Sequence, residues 1–152
     1  MAKQPTRRKP ARPTPKPPPT VRVSARPPAT PSEVRLVART RPRKDRGGGP
    51  GGFAWEIYVG DEIAGEVFIN RVDEGAHKGE AFIEIYLNRE NQGRKIGRTA
   101  YRLAAEQSSY DTVHAVMRKS NNASWRAAEE AGFVDATPPG GKQKAMLWRR
   151  KK

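Results

Sequence analysis

A glycine-bearing turn between a strand pattern and a helix pattern is the part of this sequence best suited to bind a ligand. Residues 81–87 (AFIEIYL) alternate apolar and polar positions, which predicts a β-strand. Residues 92–98 (QGRKIGR) follow and open a segment with apolar residues at helical spacing. Helix N-termini attract anions, small residues let a phosphate approach the main chain, and Arg94, Lys95 and Arg98 add positive charge. The turn is therefore predicted to hold a pyrophosphate, although two glycines before a helix also occur for packing alone.

A second segment, residues 113–133 (VHAVMRKSNNASWRAAEEAGF), combines a short strand, an Asn-rich entry, a short helix and a Gly-Phe pair. Together with the turn it resembles the GNAT superfamily of acyl-CoA-dependent N-acetyltransferases. The first family motif usually reads Arg/Gln-x-x-Gly-x-Gly/Ala, and the second reads Asn-x-x-Ala/Ser and ends at Gly-Phe. The matching residues are Gln92, Ile96 and Gly97 in the first motif, and Asn121, Ser124, Gly132 and Phe133 in the second. Lys95 stands where the middle glycine is expected, and the resemblance covers residues 53–149.

The resemblance implies an α/β (α+β) fold with a mixed, mostly antiparallel twisted sheet and few flanking helices. It also implies acetyl-CoA, or another acyl-CoA, as co-substrate and no metal. The main chain at Ile85 and Leu87 would pair with pantetheine, the amides from Gly93 to Arg98 would hold the pyrophosphate, and Asn121 would approach pantetheine from the other side. The donor-binding residues expected on this basis are Ile85, Leu87, Gln92, Gly93, Arg94, Lys95, Ile96, Gly97, Arg98, Asn121 and Ser124.

Two residues are candidates for the base that deprotonates the acceptor amine. Glu84 lies on the predicted central strand and His114 on the next one, so either could accept a proton directly or through water. Equally, Glu84 could be a polar residue on a solvated face and His114 a hydrogen-bonded strand residue. Many GNAT enzymes carry a tyrosine acid on the helix after the Asn, and here that position is Ala128. Tyr101 and Tyr110 lie elsewhere and are predicted to pack.

The composition of the chain excludes several other kinds of site and of protein. The chain has 152 residues and no Cys, so one domain is expected, and disulfides, thiol nucleophiles and Cys-based zinc sites are excluded. No apolar run approaches the ~20 residues that span a bilayer. A cytoplasmic protein that does not enter a membrane is expected. Nothing in the sequence indicates an oligomeric state.

The positive charge, +14 overall, is concentrated at the two ends of the chain. Residues 1–50 hold 14 Lys/Arg and 2 Asp/Glu, a net +12, whereas residues 51–141 hold 10 and 14, a net −4. Residues 1–31 contain ten prolines, so they are predicted to be a disordered tail, with a single domain at 32–152. The tail is either a linker or an electrostatic tether to nucleic acid.

The remaining patterns predict a short first strand from residue 34, a hairpin at 53–70 that turns at Gly60-Asp61, and two last strands around the turn at 138–142. Phe53, Trp55, Phe68, Phe82 and Trp125 are predicted to build the core. GNAT members usually place two helices between their first and second strands, but here a Gly-rich loop fills residues 41–52. This departure predicts an open acceptor groove, which would suit a macromolecule.

Two functions are therefore considered. The first is an N-acyltransferase that acts on a macromolecular amine, such as a protein, an aminoacyl-tRNA or a DNA base, with the tail as a possible contact to nucleic acid. The second is a catalytically degenerate GNAT-fold module that binds nucleic acid or protein. Lys95 in place of glycine and Ala128 in place of tyrosine favour the second.

Overall fold

The computed structural model describes residues 26–151, which form one seven-stranded sheet with two α-helices packed on it. The strands are β1 (Val34–Ala38), β2 (Phe53–Val59), β3 (Glu62–Arg71), β4 (Ala81–Leu87), β5 (Thr112–Arg118), β6 (Val134–Asp135) and β7 (Gln143–Arg149). The helices are α1 (Ile96–Gln107) and α2 (Asn122–Glu130). The strand order is β1-β2-β3-β4-β5-β7-β6, and every neighbouring pair is antiparallel except β4 with β5. The predicted fold class is confirmed.

One face of the sheet forms the core with α1 and α2. Alternation along the strands puts Val67, Ile83 and Val113 on this face, and they pack with Ile96 and other apolar residues of the helices. Of the predicted core aromatics, Trp55 and Phe68 are buried, and Phe53 and Trp125 pack against the core while partly exposed. Phe68 and Phe82 lie on the opposite face, where buried Phe68 stacks on Tyr86 and half-buried Phe82 stacks on His114 with ring centroids 5.0 Å apart.

The sheet is split between β4 and β5. The only pair in register between them is Phe82 with His114, near the start of both strands. By contrast, β4 pairs with β3 over its full length and β5 pairs with β7 over its full length. The main chain at the C-terminal end of β4 therefore has no strand partner on its β5 side. Beyond this single registered pair, β4 and β5 are no longer paired, which leaves room for a ligand between the two parallel strands.

The connection from β1 to β2 contains no α-helix among the described residues, only a short turn at Lys44–Gly48. Asn70 fixes this turn, since its side chain accepts from the Gly47 amide (2.7 Å) and donates to the Asp45 carbonyl (2.7 Å). A Cβ at Gly47, whose φ is +86°, would lie 2.1 Å from the Phe53 carbonyl oxygen, so the turn requires glycine. Arg46 then reaches an ion pair with Glu66. The loop covers only part of the sheet face that is opposite α1 and α2, hereafter the open face.

The tail predicted at residues 1–31 falls partly outside the described residues, and its last part packs on the domain. Ala29 is 2% exposed, and its amide donates to the Arg94 carbonyl (2.9 Å). Arg26 forms a two-pronged ion pair with Glu62, with distances of 3.0 and 2.7 Å. The proline content predicts that the disordered tail ends at residue 31, but these contacts attach residues 26–30 to the domain. In residues 26–151 no helix is long and apolar enough to cross a membrane.

Candidate active site

A cavity of about 440 Å³ lies between the C-terminal end of β4, the N-terminus of α1 and α2. It brings together ten of the eleven residues predicted to bind the donor, although the two motifs are far apart in sequence. Those ten residues are Ile85, Leu87, Gln92, Gly93, Lys95, Ile96, Gly97, Arg98, Asn121 and Ser124. A helix N-terminus, an exposed strand end and a second helix thus surround one elongated space.

The N-terminus of α1 opens into this cavity without a capping side chain. Lys95 occupies the N-cap position with φ +60° and ψ +23°, and it makes no side-chain hydrogen bond to the helix. No acidic residue stands in the first turn. The first N–H groups of α1 and the positive end of its dipole are therefore available to an anion such as a pyrophosphate.

Lys95 and Gly97 are constrained for different reasons, Lys95 by its backbone geometry and Gly97 by the close approach of α2. Lys95 is the one non-glycine residue with positive φ in the described chain, a geometry that glycine adopts without strain. Gly97 has ordinary helical geometry, but a Cβ there would lie 3.3 Å from the Cβ of Ala127. Gly97 thus permits the close approach of α1 to α2 and also leaves space at the cavity wall.

Arg94 is the predicted donor-binding residue whose side chain does not face the cavity. It is 4% exposed, and its Nε donates to the Pro27 carbonyl (2.9 Å) while Nη1 donates to Asn91 Oδ1 (2.7 Å). The expectation that three cations converge on the phosphate therefore fails for Arg94, because the packed segment 26–30 captures its guanidinium. Lys95 and Arg98 remain at the cavity, and Arg98 is 3.6 Å from Glu130 in an ion pair.

The second motif supplies the opposite wall through the first turn of α2. Asn121 caps this helix, since its Oδ1 accepts from the Ser124 amide (3.2 Å). Ser124, three residues later, turns its hydroxyl toward α1. The hydroxyl groups of Ser124 and Tyr101 share a hydrogen bond of 2.8 Å. The Asn-x-x-Ser spacing thus builds both the start of α2 and a polar contact between the helices.

Sequence reasoning missed Tyr101 and the cavity-facing residues of α2. Tyr101 follows Gly97 by four positions, so both lie on one face of α1 and line the cavity. The same spacing on α2 places Ala123, Ala127 and Glu130 in the wall, with Arg126 beside them. Burial raises the pKa of Tyr101 above its usual 10.0, the Ser124 hydrogen bond opposes this, and the charge of Glu84 adds to it. Helical periodicity counted from Gly97 could have identified Tyr101.

The two predicted bases lie on the open face, outside the cavity. Glu84 is exposed on β4, between Phe82 and Tyr86. His114 stacks on Phe82, and its Nε2 is 3.9 Å from Glu80 Oε2. Both residues border the split between β4 and β5, but His114 lies at its closed end, where the strands are still paired. Glu84 lies farther along the split, on the strand that leads to the cavity.

A second, smaller cavity of about 270 Å³ lies on the open face and shares Leu87 with the first. Its other lining residues include Glu56, Glu66 and Tyr86. Glu66 pairs with Arg39 and Arg46, whereas Glu56 has no ion pair among residues 26–151. Tyr86 on β4 and Val116 on β5 are 52% and 40% exposed, so uncovered apolar surface flanks the split.

Comparisons with known proteins agree with this geometry. A family model described as an acetyltransferase (GNAT) domain matches residues 16–134. The structure is similar to aminoglycoside acetyltransferase AAC(6′)-Ib in complex with paromomycin and acetyl-CoA, with a TM-score of 0.53 and 20% identity over 66% of each chain. It is also similar to the GNAT domain of PAT from S. lividans, with a TM-score of 0.53 and 14% identity over 66% of this chain and 61% of that one.

A third similar structure is a chimera of spermidine N-acetyltransferase SpeG from Vibrio cholerae, with a TM-score of 0.53 and 17% identity over 66% of this chain and 68% of that one. No curated protein sequence matches the chain at a significant level. The matched region thus spans about two thirds of these related structures. With the family model matched over more than half of its length, the chain belongs to the GNAT acetyltransferases, enzymes that take an acetyl group from acetyl-CoA.

Proposed function

We propose that this chain transfers the acetyl group of acetyl-CoA, bound in the larger cavity, to an amine that arrives from the open face. The observation that carries the proposal is the convergence of ten predicted donor-binding residues on one cavity. The amides at the start of α1 hold the pyrophosphate, with Lys95 as an added cation. The main chain of β4 at Ile85 and Leu87 has no strand partner on its β5 side, and it pairs with the pantetheine arm where that arm enters the split sheet. Asn121 and Ser124 confine that arm from the side of α2.

The reaction needs a neutral amine at the thioester carbon. An amine that arrives as an ammonium ion loses a proton to Glu84, directly or through water, and its nitrogen then forms the C–N bond. Glu84 suits this role because it is exposed on the open face and borders the split. His114 is the alternative base, although Phe82 and the closed end of the split hold it farther from the cavity. If neither acts, positioning of the two reactants carries the rate enhancement.

The acceptor is proposed to be an amine on a macromolecule. The open face has no helix over it among residues 26–151, and exposed Tyr86 and Val116 flank the point of entry. Such a surface accommodates an amine presented on a bulky carrier. The cationic residues 1–25 would add affinity for nucleic acid or a ribonucleoprotein. A small cationic amine is the second candidate, because the 270 Å³ cavity offers the carboxylate of Glu56, which accepts from the Tyr58 hydroxyl and has no ion pair among residues 26–151, and because this cavity shares Leu87 with the larger one.

Thermal melting with and without acetyl-CoA tests donor binding, because a ligand that binds only the folded state raises Tm. Thiol release from acetyl-CoA is then followed with spermidine, an aminoglycoside, a lysine-containing basic peptide and an aminoacyl-tRNA as acceptors. Turnover with the peptide or the tRNA supports a macromolecular acceptor, and turnover confined to spermidine or the aminoglycoside supports the second candidate. A raised Tm without thiol release in any reaction supports the degenerate binding module. An unchanged Tm at millimolar acetyl-CoA contradicts the proposal.

A further inference from the structure

The position at which many GNAT enzymes carry their tyrosine acid is occupied here by an alanine that cannot donate a proton. Ala128 is completely buried on α2, one turn after Ser124. When the C–S bond of a thioester breaks, the departing sulfur carries negative charge and needs a proton or a hydrogen-bond donor. The proposed reaction therefore requires a donor from another part of the cavity.

Tyr101 is the one tyrosine among the lining residues of the donor cavity. Its side chain comes from α1, its ring packs edge-on against Phe133 at 5.6 Å, and 4% of the residue is exposed. Its hydroxyl reaches across to α2 and meets Ser124 at 2.8 Å. A phenol group thus stands beside the first turn of α2, one turn before the position of the donor tyrosine in related enzymes, and it is supplied by the neighbouring helix.

We propose that Tyr101 is the acid of this enzyme and gives its hydroxyl proton to the leaving sulfur of CoA. This inference rests on the proposed function. As the amine nitrogen forms the C–N bond and the C–S bond breaks, the electron pair of that bond goes to sulfur, which takes the proton of Tyr101. The nitrogen loses one proton to Glu84 before the attack and a second one as the amide forms, and Glu84 passes each of them in turn to water. The Ser124 hydroxyl returns a proton to the phenolate and takes one from water, so the products are the acetylated amine and the CoA thiol.

Two features of the surroundings suit this role. Burial of the ring keeps the phenol protonated through the neutral pH range, because desolvation disfavours the phenolate. The Glu84 charge also disfavours the phenolate, although less than burial does. Ser124 holds the hydroxyl in place and connects it to a second exchangeable proton.

The test compares Tyr101→Phe with Tyr110→Phe in the thiol-release assay. Phenylalanine at position 101 keeps the ring contact with Phe133 and removes only the hydroxyl. We expect kcat to fall by about 10²–10³-fold, with little change in the KM for acetyl-CoA or in the Tm rise that acetyl-CoA causes. Tyr110, whose hydroxyl bonds to the Gly51 carbonyl outside both cavities, is the matched control and should retain full activity.

The pH profile separates an acid from a structural hydroxyl. The wild type should lose kcat on the alkaline side as Tyr101 ionises, and site-specific replacement of Tyr101 by a fluorotyrosine should move that limb to lower pH. A Tyr101→Phe enzyme with wild-type kcat, or a fluorotyrosine enzyme with an unmoved limb, overturns the inference while the proposed function stands. If Tyr101→Phe does not fold, the fluorotyrosine enzyme still decides the question. Absence of thiol release by the wild type with every acceptor would instead contradict the proposed function.

Discussion

The Nε atom of Arg94 donates a 2.9 Å hydrogen bond to the main-chain carbonyl oxygen of Pro27, 67 residues earlier in the chain. The main-chain carbonyl of Arg94 in turn accepts from the Ala29 amide. Arg94 immediately precedes the N-cap of α1, so this reciprocal contact ties segment 26–30 to the turn that is proposed to bind pyrophosphate. Segment 26–30 thus braces the turn that precedes α1.

Two truncations test the brace. Removal of residues 1–25 should leave Tm and the acetyl-CoA-induced stabilisation nearly unchanged, because the contacts of Pro27 and Ala29 remain. Removal of residues 1–31 should lower both, since Arg94 loses hydrogen-bond partners for a buried charge, an effect of roughly 1.5–3 kcal/mol. Thermal melting of both forms with an acetyl-CoA titration gives the answer. A lysine at position 94 cannot donate to both the Pro27 carbonyl and Asn91. Arg94→Lys should therefore lower Tm and the acetyl-CoA-induced stabilisation, as the removal of residues 1–31 does. Identical behaviour of the two truncated forms would contradict a bracing role.

Lys95 combines backbone strain with a charge at the cavity, and two substitutions separate them. Lys95→Gly removes both and should stabilise the apo protein by up to about 1 kcal/mol, because left-handed geometry costs an L-residue about that much. Lys95→Met removes the charge and keeps the strain. If Lys95 contacts a phosphate, both variants should bind acetyl-CoA several-fold more weakly by calorimetry, with a reduced dependence on salt. Affinity unchanged in both would leave the backbone amides as the phosphate site.

Glu84→Gln should lower kcat about 10²–10⁴-fold at neutral pH, with little change in acetyl-CoA affinity. The glutamine keeps the shape of the side chain but cannot accept the amine proton. His114→Ala is the comparison, and it should cost much less activity because His114 lies at the closed end of the split. The reverse order of the two effects would move the role of base to His114.

The ion pair of Asp135 and Lys144 gives a pH dependence of stability. Lys144 Nζ lies 2.8 Å from Asp135 Oδ2, and with the Thr137 hydrogen bonds it holds the pKa of Asp135 well below its usual 3.8. The folded state therefore binds fewer protons than the unfolded state just below pH 4, so this stabilisation is present above that pH and is lost as the pH falls further. Asp135→Asn should flatten the fall of Tm between about pH 5 and pH 2. If Tm falls as steeply at acid pH in Asp135→Asn as in the wild type, other carboxylates cause most of that fall.

The cationic residues 1–25 should make nucleic-acid binding depend on salt. Binding of the full chain to a DNA or RNA duplex should weaken steeply between about 50 and 200 mM salt, and the form without these residues should show a shallower slope. Fluorescence anisotropy at several salt concentrations measures both slopes. Equal slopes would assign residues 1–25 to a linker. The basic C-terminus, residues 149–152, is then the alternative site for phosphate contacts. It is only a partial one, because the Arg150 side chain already donates to the carbonyls of Ser108 and Tyr110, just after α1.

Features that depend on near neighbours in the chain are predictable from local sequence patterns. Alternation predicted β2, β3 and β4 nearly to the residue, and the turn at residues 92–98 predicted the start of α1. The predicted last pair of strands is confirmed in part, since β6 is only two residues long. Ten of the eleven residues predicted to bind the donor line one cavity, and Arg94 is the exception. These signals are local, because side-chain periodicity and turn chemistry act over a few residues.

Contacts between groups that are distant in the chain depend on how the folded segments pack together. The direction of Arg94 depends on Pro27, which no periodicity connects to it. The split between β4 and β5 depends on which strand each one pairs with along its other edge. The meeting of Tyr101 with Ser124 depends on the close packing of α1 on α2 that Gly97 permits. Each of these contacts forms between segments brought together by burial of the shared core, so their geometry is a property of the packed sheet and helices and is not encoded within any one segment.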